Sequence, residues 1–309
     1  MKLLAVMNML QGGGSAAQDA GGESTPDLKG MLLHHLLDGN ELEFKILGWG
    51  RTIDLTQFAI PPIHIGALAV DLSPTRHMVF LFLAAILCLA VFLPIGMAMR
   101  GKYANRAPSG LANAMEAMIV YFRDEVVRRN IGHGADAYTG YILTLFFFIL
   151  SMNMLGLVPF GSTATGNFMV TGALALVTFV VVEVSGMRTL GFKGYMGTIF
   201  YAPPGLSPVG QAIMLVILTP VEFLGKLTKP FALMIRLFAN MMAGHTLVLS
   251  LLGLIFMFAS VGAAKHLIAV ASVSMVLAIM LLEIFVALLQ AYIFAMLTAV
   301  FIGLIRHAH

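Results

Sequence analysis

The stretch LTKPFALMIRLFANMMAGHTLVLSLLGLIF, Leu227 to Phe256, is long and apolar enough to lie in a bilayer, yet it carries Arg236 near its centre. Arginine keeps its proton in proteins, so it is a fixed cation and not a proton carrier. Placing one at the middle of a membrane helix costs about 3 kcal/mol on insertion scales, and such residues face a partner or a water-filled path. A plain packing pair with a carboxylate is the competing reading.

The rest of the chain has the same character. With 59% hydrophobic residues, 11% charged residues and a mean hydropathy of +0.92, it reads as an all-α polytopic membrane protein, since soluble domains average about 25% charged. The net charge of +3 comes with no basic tract, which argues against a nucleic-acid partner. Cys88 is the only cysteine, so neither an internal disulfide nor a zinc cluster is available. No nucleophile triad, metal cluster or phosphate loop stands out, and no cofactor is expected.

Residues 1–75 form a polar to mixed N-terminal region that begins MKLLAVMNMLQGGGSAAQDA. The first 20 residues could be a secretory signal, although the apolar run is short and broken by Asn8; a disordered polar tail is the alternative. His34 and His35 are adjacent and so do not share a helix face, which favours a surface helix over a metal site.

The membrane domain spans 76–309. Met78 to Met99 is the first span, about the length that an approximately 30 Å hydrocarbon core requires. Arg100, Lys102 and Arg106 place its end in the cytoplasm and the acidic N-terminal region outside. Leu111 to Ile131 has apolar residues at helical spacing between charges and should lie along the cytoplasmic surface. Tyr138 to Val158 crosses outward, and LGLVPFGSTATGN then reads as a turn. Asn167 to Ser185 returns, with Arg188 and Lys193 on the cytoplasmic side. Two long stretches remain, Pro208 to Ser260 and Ala264 to Ile305, separated by a short VGA turn. At 1.5 Å per residue each extends roughly 60 to 80 Å, too far for an upright span. They are expected as a strongly tilted antiparallel hairpin over about 208–305, with Pro220 and Pro230 as bend points. The count is five crossings, with the N-terminus outside and the C-terminus in the cytoplasm.

From Gly140 onward the only acids are Glu183, Glu222 and Glu283, and that scarcity marks each as a functional suspect. Glu222 lies 14 positions before Arg236, about 21 Å along a straight helix, so the two are not a direct pair. Asn240 follows Arg236 by one turn and shares its face, whereas His245 points to the other side. On the partner helix Glu283 and Gln290 face one way. Histidine and glutamate exchange protons and Arg236 does not, a set suited to a proton route interrupted by a barrier.

At these residues the chain resembles subunit a of the F-type ATP synthase. The resemblance rests on IRLFANMMAGHTL (Ile235 to Leu247), LLQAYIFAMLTAVFI (Leu288 to Ile302), LGLVPFGSTATGN (Leu155 to Asn167) and NAMEAMIVYFRDEV (Asn113 to Val126). It covers the chain from about Gly30 onward. It implies a long tilted hairpin curved against a rotor ring of subunit c, with peripheral-stalk subunit b and the rest of the complex as further partners, in a bacterial inner membrane. It also implies roles. Arg236 matches the arginine that faces the ring, Asn240 the asparagine one turn later, and Gln290 the glutamine near the arginine. His245 and Glu283 match a polar pair in the inlet half-channel, and Glu222 an acid on the outlet side. Protons would enter past His245 and Glu283, neutralise a rotor carboxylate, and leave past Glu222. Arg236 would favour release and block a leak between the half-channels. A secondary transporter would instead show internal repeats with matching broken helices, and none is visible. A structural scaffold would tolerate Arg236→Lys.

Overall fold

The computed structural model describes residues 41–46, 49–55, 63–65, 68–70, 75–101, 103, 105–158, 163–200, 207–258 and 264–307. Among the described residues, five helices are long and apolar enough to cross a membrane, the number expected. These are α1 (Arg76–Arg100), α3 (Asp136–Leu157), α4 (Phe168–Ile199), α5 (Pro208–Met257) and α6 (Ala264–Arg306). Between α1 and α3 runs α2, residues 111–131, in which Phe122–Arg128 is wound as a π-helix. The possible signal segment and His34 and His35 lie outside the described residues.

Ahead of α1 stand two antiparallel hairpins absent from the sequence reading. Strand β1 (Glu41–Ile46) pairs with β2 (Trp49–Asp54), Glu41 opposite Asp54, and β3 (Ile63–Ile65) pairs with β4 (Leu68–Val70). Leu55, just past β2, is buried in a small cluster with Phe80 of α1, to which Leu155 of α3 adds. Thr75 caps α1 by accepting a hydrogen bond from the Met78 backbone N–H, the usual remedy for an unpaired first-turn donor.

The helical core forms where α2, α3 and α6 meet. Phe122, Val126, Val127 and Ile131 are fully or nearly buried, as are Ile142, Ile149 and Met152 of α3 and Phe294 and Ile302 of α6. The outer face of α2 keeps its charges half exposed: Arg128 bonds Asp124 at 3.0 Å and Asp136 at 2.8 Å, and Arg129 bonds Glu125 at 3.1 Å. The Arg123 guanidinium beside Asp124, with Arg128 adding to it, holds that carboxyl below the usual carboxylate range. This is the amphipathic helix that the sequence anticipates.

Gly303 sets how closely α6 approaches α2. A Cβ there would collide with the backbone oxygen of Asn130 and sit 3.0 Å from its carbonyl carbon. A backbone obstacle cannot swing away, so Gly303→Val is expected to lower stability by about 3 kcal/mol, the upper part of the usual overpacking range. The check is thermal unfolding of the purified subunit in detergent; an unchanged midpoint would show that α2 is free to move.

Helix α4 runs 14 residues beyond Ser185, where the sequence reading ends the span. Gly191 explains the difference. Its φ of 69° and ψ of 168° lie in a region open chiefly to glycine, so two helical segments join there across a kink. Arg188 and Lys193 therefore sit in helix rather than loop. Helices α5 and α6, of 50 and 43 residues, would extend about 75 and 65 Å at ordinary helical rise. Both are about twice as long as an upright crossing of a roughly 30 Å core requires, a length that suits a slanted crossing.

Candidate functional site in the helical hairpin

The pattern of α5 separates two faces. Leu233, Leu237 and Met241, at a spacing of four, are 2% or less exposed and turn toward the protein core. Ile235, Arg236, Ala239 and Asn240 lie on the opposite, exposed side. On α6, Glu283, Ala287, Gln290 and Ala291 are buried, while Ile284, Phe285, Leu288 and Leu289 are exposed. The Asn240 side-chain amide donates to Gln290 Oε1 at 3.0 Å and ties the two helices together. That bond lies one turn past Arg236 on α5. Arg236 itself makes no ion pair or hydrogen bond among the described residues, so a permanent cation stands on an apolar outer face with Phe231 and Ile235 exposed near it in sequence.

Further along α5 the structure sets Glu283 of α6 against Gly244, the residue before His245. Glu283 is 7% exposed and its carboxyl lies over Gly244: a Cβ there would strike Oε1 and come within 2.8 Å of Cδ. Gly244 thus leaves the space that a carboxylate from α6 occupies. The side chains of His245 and Glu283 do not bond each other. His245 Nε2 and Glu283 Oε1 are both buried without a hydrogen-bond partner among the described residues.

His77 was missed by the sequence reading. It is 5% exposed near the start of α1, and its Nδ1 bonds the Thr163 carbonyl oxygen at 2.8 Å. A carbonyl only accepts, so Nδ1 carries the proton. The surrounding frame is also polar: Thr165 Oγ1 donates to Asn153 Oδ1 at 2.8 Å, and Asn153 Nδ2 donates to the Ala287 carbonyl, one turn beyond Glu283. The signal available in the sequence was a histidine at the head of an apolar span.

At the other end of the hairpin Glu222 is exposed and lines a cavity of about 200 Å³ between α4, α5 and α6, together with Thr178, Glu183, Lys226, Lys229 and Phe301. Glu222 is not brought near Arg236, as the spacing required. Polar groups therefore gather at two separate places, with Arg236, Asn240 and Gln290 between them along the hairpin.

The architecture is that of a polytopic helical membrane protein with charged and titratable groups set into a spanning hairpin. Residues 78–303 match the family model described as ATP synthase A chain. The chain is 43% identical over 272 residues to the ATP synthase subunit a of Chloroherpeton thalassium, covering 88% of this chain and 75% of that relative. It is 43% identical over 285 residues to that of Chlorobium phaeobacteroides strain BS1 (92% and 78% covered) and 42% identical over 302 residues to that of Anaeromyxobacter dehalogenans strain 2CP-C (95% and 75%). The chain belongs to the ATP synthase A chain family.

Proposed function

We propose that this chain conducts protons through two offset half-channels that serve the carboxylates of a rotor ring, and so couples proton flow to ATP synthesis. Family membership makes it a proton-translocating membrane subunit of the ATP synthase, not a catalyst by itself. The finer reading rests on one observation above all: the Asn240–Gln290 bond closes the hairpin beside an unpaired Arg236, with His245 and Glu283 on one side and Glu222 on the other.

In this reading a proton enters past His245 and Glu283, both proton exchangers. It neutralises a rotor carboxylate, which can then turn into lipid without the cost of a bare charge. When the ring brings a carboxylic acid back to Arg236, the guanidinium favours the carboxylate form, and the proton leaves past Glu222. The same fixed cation opposes a proton passing directly between the half-channels. The exposed apolar face around Arg236 supports a ring of subunit c as its cover, since a cation on a lipid-facing surface is costly without an anionic partner. Subunit b and the rest of the complex are the further partners. The positive residues Arg100, Arg106, Arg188, Lys193 and Arg306 support an inner-membrane topology with residues 1–75 outside, the membrane domain at 76–309 and the C-terminus in the cytoplasm.

The test is sided access. In a Cys88→Ser background, cysteine at position 245 or 283 is expected to react with a small water-soluble thiol reagent added outside, and cysteine at 222 with reagent added on the cytoplasmic side. Reversed sidedness, or no reaction at any of the three, would end the two half-channel reading.

A further inference from the structure

Glu183 of α4 was a suspect by scarcity, but the resemblance assigned it no role. It is 9% exposed. Tyr195 Oη donates to its Oε2, and Lys226 Nζ of α5 lies 3.7 Å from the same oxygen, with both charged side chains nearly out of solvent. Lys226 also donates to Thr198 Oγ1 at 3.1 Å and stands 4.4 Å from the centre of the Tyr195 ring. The kink at Gly191 makes this cluster possible, because it turns the last segment of α4 so that Tyr195 meets a residue 12 positions earlier.

The phenol of α4 and the ammonium of α5 converge on one oxygen of the carboxyl. A packing clamp between α4 and α5 would need no more than this. The cluster, however, forms part of the wall of the 200 Å³ cavity that Glu222 also lines, with Lys229 beside them. A carboxyl group held between an ammonium and a phenol, on the wall of a cavity shared with a second carboxyl, is placed to take up and return protons.

We infer that Glu183 is a second proton-exchanging group of the Glu222 half of the path, with Lys226 as its fixed counter-charge and Tyr195 as its orienting donor. The inference rests on the half-channel reading above. The rotor carboxylic acid loses its proton to the Glu183 carboxylate, directly or through Glu222, and becomes a carboxylate; the neutral Glu183 then passes that proton to water at the cavity mouth and is ionised again. Lys226 and Tyr195 keep their own protons throughout.

The experiment compares Glu183→Gln with Glu183→Asp in the whole complex, reading ATP-driven proton pumping by inverted vesicles, normalised to assembled subunit. Glutamine keeps the length and an acceptor for Tyr195 but cannot exchange a proton; aspartate exchanges protons but is too short to fill the site. A proton-exchange role predicts that Asp pumps faster than Gln, with Gln lowered about tenfold, less than a lone proton-transfer group commands because Glu222 shares the cavity. A packing role predicts the reverse order. Since Glu183→Gln strips Lys226 of its counter-charge, the double variant Glu183→Gln with Lys226→Gln is measured beside it and is expected to be equally slow. Gln matching or exceeding Asp, or a double variant that pumps normally, overturns the inference. Arg236→Ala serves as the control: if that variant also pumps normally, it is the half-channel reading that has failed.

Discussion

Arg236→Ala is expected to reduce ATP-driven proton pumping to background while leaving the subunit assembled. The reason for the second half lies in the packing. The residues that hold α5 to the core are Leu233, Leu237 and Met241, and Arg236 points away from them and bonds nothing among the described residues. Removing it takes out a charge, not an anchor. Under the two half-channel proposal, nothing fixed would then favour release from a rotor carboxylate or oppose a leak past Asn240 and Gln290. Arg236→Lys separates this from a packing role. A lysine keeps the charge but lacks the planar fork and gives up its proton more readily when buried, so it is expected to pump poorly, whereas a scaffold would accept it. Inverted vesicles with a pH-sensitive dye give the measurement, and normal coupled pumping by the alanine variant contradicts the assigned role.

The second large effect is expected at Gly244, which has no chemistry of its own. A valine there places Cβ against the Glu283 carboxyl, 2.8 Å from Cδ, and its two methyl groups deepen the clash. The carboxyl is the flexible end of its side chain, so it moves and the helices stay. A displacement of about 1 Å in a reacting group can cost about a hundredfold in rate, and Gly244→Val is expected to lose pumping on that scale with assembly retained. Gly244→Ala should fall between. If the valine variant pumps as the parent does, Glu283 does not need its position over α5.

Arg236, Glu222, His245, Glu283, Asn240 and Gln290 could be singled out from sequence because polar groups in apolar stretches are costly and therefore conspicuous. The helices could be counted for the same reason, since runs of that length and hydropathy have few alternatives. The Asn240–Gln290 bond was only implicit: both residues were marked, but the register between two long helices is not a local property. Gly244 was invisible because its contribution is the absence of a side chain, and His77 because one histidine at a helix start has many ordinary explanations. Tyr195 escaped since its meeting with Glu183 depends on the positive-φ kink at Gly191. The β-hairpins do carry an alternating pattern, as in ELEFKI, but two-stranded pairs lack the long apolar face that makes a strand stand out.

A slanted crossing by α5 and α6 would have an electrical meaning. From Glu222 to Arg236 is 14 residues and from Arg236 to His245 is nine, about 21 and 13 Å of helix. On a slanted axis such distances divide between depth and sideways travel. Under the two half-channel proposal, water would carry the potential of each face inward to its own end of the hairpin, so the voltage would fall mainly between the two ends. A charge passing from one to the other would then collect about 2.3 kcal/mol per 100 mV while moving largely within the membrane plane. A slanted hairpin would thus act as an electrode pair laid on its side, and the force it delivers would be tangential, the only direction in which a ring can turn.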